Sequence, residues 1–317
     1  RCWTQDGAHI ILRGRSLTRR TASGRDGNSY SFAALTRDEW DILPARPAQL
    51  WSVPDWPSSE VQGRLAPWPT PLALDPDFAP EGLQTWVREQ PWAVEHLAQL
   101  LTMVEMTSGP EARKLLIEHE DQGVVVRWIS LAQLTMSDAE AMNSSVHSFA
   151  EEPESAPATF VGAHPLFSDG VRPNAEGYRL FDRCTPVEPS GSARLHVQWF
   201  LTMDADEALA AISTSRAWAR VLSSFDSDEA ARIAGMVLLG VGEPRPGDVP
   251  VAAELLSGLC RQDPESVPEW GEELVGLLQA CSPASADDVG AVGEIIWEPA
   301  RIGETGLARR LASLCLS

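Results

Sequence analysis

The chain has 317 residues, 44% of them hydrophobic, and a formal net charge of −20. That length and apolar content suffice for one large domain or two ordinary ones with true cores, while so acidic a body repels phosphate backbones and excludes nucleic acid as a partner for the bulk of the surface. No apolar run reaches the roughly 18 residues needed to span a bilayer, so no membrane partner is expected.

The charge is uneven: residues 1–30 carry a local +4 and the remainder −24. The basic cluster Arg13, Arg15, Arg19, Arg20 and Arg25 is set either to touch an acidic partner or to fold against the chain's own acidic body. The opening residues Arg1–Asp6 lack signal-peptide features, and the first is not methionine, so the numbered chain is expected to lack its native start. Residues 8–32 read as a short β unit, with Ile10, Ile11 and Leu12 in one strand and Tyr30 and Phe32 alternating after the turn-prone Ser23–Asn28. Thr36-Arg37-Asp38-Glu39 has the form of a capping box, with a brief helix behind it from Trp40.

Nine prolines fall within residues 43–80 and exclude regular structure from most of that span. Trp51, Trp56 and Trp68 lie among them. Indoles in a proline-rich strap either fold back onto a core or line an aromatic groove. From Glu81 the pattern turns helical through Met106. Ser108–Glu111 then caps a further expected helix, with Leu115 and Leu116 on its apolar face. Val124–Ile129 is β-branched enough to read as a buried strand, and Ser137-Asp138-Ala139-Glu140 is another capping box. An exposed crossing or boundary is expected near residues 150–158. Tyr178–Cys184 and Leu195–Met203 read as strands, the second by its period of two.

Helix-sized segments then recur at an even beat. N-caps are expected at Asp204, Asp226, Asp248, Ser266, Ser285 and near Gly303, at intervals of 22, 22, 18, 19 and 18 residues. Apolar residues at i, i+3, i+4 and i+7, such as Ala252, Leu255, Leu256 and Leu259, mark one buried face per segment. Two such helices make a unit of HEAT-like length. An ordinary six-helix bundle accounts for the same pattern.

Motifs for chemistry are largely missing. There is no phosphate-cradling P-loop, no GxGxxG after a strand and no HExxH. Glu118-His119-Glu120-Asp121 reads as a solvated helix end rather than a metal cluster, because adjacent helical residues diverge. The pairs Asp204/Asp206 and Asp226/Asp228 read as caps. The five cysteines (Cys2, Cys184, Cys260, Cys281 and Cys315) form no CxxC pair, which fits neither zinc nor a disulfide framework and points to a reducing cytoplasm. Lys114 is the only lysine among 25 basic residues. With abundant alanine, glycine and proline, that bias points to a high-GC bacterial source.

Asp169–Tyr178 resembles the C-terminal block of SGNH (GDSL-type) hydrolases, and Ile10–Thr18 resembles their nucleophile block. The resemblance covers about 25 residues in two pieces. It implies a hydrolase triad of Ser16, Asp169 and a histidine, with His164 the available substitute. Arg15 and Arg172 stand where the family places Asp and the catalytic His, and a guanidinium is no general base near pH 7. The family's Gly-x-Asn-Asp oxyanion block is missing as well.

The sequence therefore predicts an α+β, predominantly α-helical protein. A mixed region (residues 1–203) carries a few short strands and the Trp/Pro strap (residues 43–80), and an array of about six helices (residues 204–317) follows. The function expected is a non-catalytic adaptor, inhibitor or immunity protein that holds no cofactor or metal. Its acidic surface would bind a basic protein partner, with Arg13, Arg15, Arg19, Arg20, Trp51, Trp56 and Trp68 as contact residues. A hydrolase using Ser16, His164 and Asp169, or a structural subunit of a larger assembly, is the alternative.

Overall fold

The computed structural model describes residues 1–16, 29–57, 61, 65–69, 71–107, 112–166, 177–182, 186–245, 247–283 and 285–316. Arg19, Arg20, the Ser23–Asn28 turn, the Ser108–Glu111 cap, Asp169, Arg172 and Cys184 lie outside these residues. Arg15 and Ser16 are described by their backbone only.

The fold is α+β and predominantly helical, as the sequence predicts. The described residues form a seven-stranded sheet of order β3-β2-β1-β5-β6-β4-β7. β1 (Cys2–Gln5), β2 (Ala8–Ser16) and β3 (Ser29–Thr36) form an antiparallel meander. β5 (Val146–His147), β6 (Phe160–Ala163), β4 (Lys114–Glu118) and β7 (Tyr178–Phe181) are mutually parallel. The halves join where Cys2 pairs antiparallel with Val146. β5 and β6 approach so closely that a Cβ at Gly162 would lie 2.3 Å from the Ser148 carbonyl oxygen, so only glycine fits there.

Several local readings change. Leu115 and Leu116 belong to β4, not to a helix. A central strand buried on both faces shows no alternation to identify it. Val124–Ile129 lies within α3 (Gln122–Leu134), where Asp121 accepts the Gly123 N–H at 2.7 Å and starts the helix; burial of Val125, Trp128, Ile129 and Ala132 overrides β propensity. Leu195–Met203 is mostly α5 (Gly191–Thr202), which buries Ser192, His196, Trp199 and Phe200 at helical spacing. In the Thr36 segment the cap is Asp38, which accepts from the Trp40 N–H ahead of a 3-10 turn at Glu39–Asp41.

The chain divides into two compact units: residues 1–189 with 200–206, and residues 190–199 with 207–317. The 150–158 segment lies inside the first. There Lys114 donates from Nζ to the carbonyls of Glu154 and Ala156 at 2.7 and 2.8 Å. In the second unit α6 (Ala205–Val221, from Glu207 onward), α7 (Ser227–Leu239), α8 (Asp248–Gln262), α9 (Val267–Cys281), α10 (Ala286–Ile295), α11 (Trp297–Arg301) and α12 (Thr305–Leu314) follow one another. α8 packs on α9, α10 on α8, and α12 on both α9 and α10. The α9–α12 approach is tight: a Cβ at Gly271 would meet Leu307 Cδ1 at 2.5 Å. Asp226 and Ser285 cap as expected. Asp248 instead lies just inside its helix, buried and paired with Arg232.

The strap is pinned by two fully buried amides. Gln49 accepts the Arg46 N–H at 2.7 Å and donates from Nε2 to the Phe78 carbonyl at 2.6 Å. Gln133 of α3 accepts the Ala48 N–H at 2.8 Å and donates to Ser144 Oγ at 2.7 Å. Gln133→Leu leaves the Ala48 donor buried without its acceptor. It is predicted to cost about 2–3 kcal/mol, read as a lowered urea midpoint with altered tryptophan emission. In the second unit His196 is buried, its Nε2 3.1 Å from Ser215 Oγ. Burial first, and then the Arg216 guanidinium, push its imidazole well below the usual 6.5. The folded chain thus keeps the ring neutral while the unfolded chain takes up a proton below about pH 6.5, so stability present above that pH falls as the pH drops. Denaturation of wild type and His196→Asn between pH 7.5 and 5 should show that extra fall in the wild type alone.

Candidate functional site

The sequence-derived contact residues divide by position. Arg13, on β2, holds its guanidinium over the Trp51 ring at 5.5 Å. Trp51 also packs on Phe78 with ring centroids 5.8 Å apart. Trp56 is buried, donates its Nε1–H to the Leu50 carbonyl at 2.6 Å, and meets Trp68 edge-on at 4.7 Å. The strap tryptophans therefore form packing contacts, with Trp51 and Trp68 half-buried at the surface.

Ser16 and His164 are not brought together. Ser16 ends β2 and His164 follows β6, with β1 and β5 between them in the sheet. Three strand spacings are about 14 Å, far beyond a hydrogen bond. His164 instead accepts the Leu166 N–H at its own Nδ1, at 3.2 Å. Among the described residues no group of three or more His, Cys, Asp or Glu is placed to hold a metal ion, and no helix is long and apolar enough to cross a membrane.

A different cluster lies on the helices beside β4. Trp86 of α1 (Pro80–Glu89) meets Trp92 of α2 (Pro91–Glu105) edge-on at 5.9 Å and Trp128 of α3 at 5.1 Å. Trp92 also stacks on His119, just past the carboxyl end of β4, with the rings 14° from parallel. His119 accepts the Asp121 N–H at Nδ1, so in its neutral form the ring carries its proton on Nε2. Trp128 is buried beneath, against Phe181 of β7, while Trp86 and Trp92 are half-buried.

Arg127 extends this cluster toward solvent. Its guanidinium lies over Phe78 at 5.2 Å and over Trp86 at 5.8 Å, and donates to Asp77 at 3.1 Å. Beside it is a shallow concavity of about 530 Å³ lined by Pro76, Asp77, Glu81, Thr85, Trp86 and Glu89. Asp206 adds to this acidic field: its carboxyl is held above the usual range by partial burial first, then by Glu81 and Asp204. The half-buried Trp86 indole beside the exposed Glu81 and Glu89 carboxylates makes a surface suited to a cationic side chain of another protein.

Sequence reasoning missed this surface because its parts are scattered over residues 77–128 and their rings meet only in the fold. The signal that could have found it was the density of tryptophan at 86, 92 and 128 alongside the acidic Glu81 and Glu89.

Residues 83–185, about a third of the chain, match the family model of the GTPase-associated protein 1 middle domain. The match runs from α1 through β7 and includes Trp86, Trp92, His119, Arg127 and Trp128. No curated protein and no solved structure shows significant similarity to the chain.

The buried and exposed parts of the cluster separate by mutation. Trp128→Ala is predicted to cost about 3–5 kcal/mol. Glu81→Arg and Glu89→Arg, both on exposed positions, should cost far less by the urea midpoint, Glu81→Arg about 1 kcal/mol or less because it reverses a charge in the first turn of α1.

Proposed function

We propose that this protein is a non-catalytic accessory protein that binds a GTPase. The carboxylates around Trp86 would receive a basic side chain of that partner. The observation that carries the reading is the match of residues 83–185 to a GTPase-associated domain, a segment that supplies Trp86, Glu89 and Arg127 to the acidic, aromatic surface, while Asp77 and Glu81 lie just before it. A net charge of −20 favours a basic partner surface, because complementary potentials speed encounter and suppress wrong partners. Arg13 and Trp51, with the basic residues near the start of the chain, supply a second contact region in this reading. The composition bias and the scattered cysteines favour a bacterial cytoplasm as its place of action. The hydrolase alternative is not favoured, since Ser16 ends β2 and His164 follows β6, with two strands between them.

The test is capture by the tagged protein from source lysate supplemented with GDP or a non-hydrolysable GTP analogue, at low and at roughly 0.5 M salt, where the Debye length falls to about 4 Å. A GTPase retained at low salt, lost at high salt and lost with Glu81→Arg/Glu89→Arg supports the proposal. Retention of proteins that include no GTPase overturns the partner class. Retention of a GTPase unaffected by the double variant overturns the site.

A further inference from the structure

The strand β3 is the edge of the sheet, and its chemistry is unusual for an edge. Soluble proteins blunt exposed edges with charge, proline or brevity. The opposite edge, β7, does so with four residues that include Arg179. β3 is eight residues long, Ser-Tyr-Ser-Phe-Ala-Ala-Leu-Thr, with neither a charge nor a proline.

The register shows which of its groups face outward. Arg1 and Leu12 exchange both backbone hydrogen bonds at 2.8 Å, so Leu12 turns its N–H and C=O toward β1. Its neighbour across the β2–β3 ladder is Ala33. Alternation in an antiparallel pair therefore turns the N–H and C=O of Ser31, Ala33 and Leu35 away from β2. Among the described residues no hydrogen bond engages these groups. The Leu35 side chain is 65% exposed.

This edge borders a groove of about 730 Å³. Buried Ile11, Ile42 and Leu50 form its floor, and the strap residues Leu65, Trp68 and Leu72 also line it. Asp41 lines it too, near the end of β3, with Asp38 and Glu39 exposed close by and Arg37 the one basic residue of that turn.

We propose that β3 is a strand-addition site: an extended segment of a partner protein pairs antiparallel with Ser31, Ala33 and Leu35. Its alternate side chains enter the groove against Trp68, and a basic N-terminal end lies beside Asp38, Glu39 and Asp41. Backbone bonds supply the affinity and the groove the selectivity. Charge decides the occupant. A second copy brings another −20 to the edge, whereas a neutral segment with a basic end is attracted to this one. The site is separate from the acidic, aromatic surface and stands whether or not the partner there is a GTPase.

The probe is a fluorescein-labelled peptide of alternating valine and threonine, eight residues long, preceded by two lysines. Its anisotropy is measured against the full chain. Saturable binding is expected, weakened about tenfold or more by Ala33→Pro, which removes one outward N–H. The fully N-methylated peptide of the same sequence should not bind, and this arm needs no variant to fold. Replacing the two lysines by glutamates should weaken binding several-fold. Absent binding, or equal binding of the N-methylated peptide, overturns strand addition. Equal binding of the glutamate peptide overturns the basic occupant. A dimer in sedimentation velocity that Ala33→Pro dissolves would make the occupant a second copy and overturn the proposal as stated.

Discussion

The first unit depends on how a proline-rich strap satisfies its backbone while lying on a core. Proline removes donors, and the N–H and C=O groups that remain cost free energy if buried without partners. Gln49 and Gln133, both at 0% exposure, meet this constraint from the two sides. Gln49 folds onto its own segment and ties Arg46 to Phe78. Gln133 reaches from α3 to Ala48 and on to Ser144. Arg46 adds a bond to Asp138 at 2.6 Å, at the start of α4 (Asp138–Asn143). Each amide uses both its donor and acceptor sides, which makes a buried polar contact specific rather than merely costly.

Both candidate interaction surfaces follow from that clasp. Its Phe78 end carries the neighbouring Asp77, and these two residues fix Arg127 against Trp86. Its other end sets Leu50 and Trp56 beneath the β3 groove and positions Trp51 under Arg13. A segment that reads as irregular is thus the part that shapes what the sheet and helices present to solvent. Loops held by a rigid scaffold commonly carry function for this reason.

Legibility in the sequence tracked the range of the interactions. The capping residues Asp226, Ser137 and Ser285 were readable because a cap involves only three or four neighbours. The β2–β3 pair was readable from local apolar runs flanking a turn. The errors arose where two periods coincide or where burial on both sides erases the period. In α5, Leu195, Val197 and Trp199 alternate, yet the deeply buried set is Ser192, Ala193, His196, Trp199 and Phe200. In β4, three consecutive residues are fully buried, so no face is marked. The aromatic surface was illegible for a different reason. Trp86, Trp92, His119 and Arg127 come from α1, α2, the end of β4 and α3, and no spacing rule links positions whose meeting depends on the sheet beneath them. The Ser16 and His164 pairing failed on the same ground, since strand order and not separation in sequence decides what lies beside what.

The geometry around Trp86 also constrains what it can recognise. Trp92, Trp128 and Arg127 hold the indole from three sides, so little rotamer freedom remains to be lost when a partner docks. Asp77 already has Arg127 as its cation, whereas Glu81 and Glu89 stand exposed at the rim. A partner's arginine or lysine would therefore meet one of the rim carboxylates while its stem covers the ring. It would keep part of its hydration there and avoid the desolvation penalty of a buried ion pair. Such a contact adds modest affinity and strong orientation, because the ring fixes position and the carboxylates fix sign. That combination suits a reversible accessory interaction better than a permanent subunit interface, which would need a larger and more apolar patch.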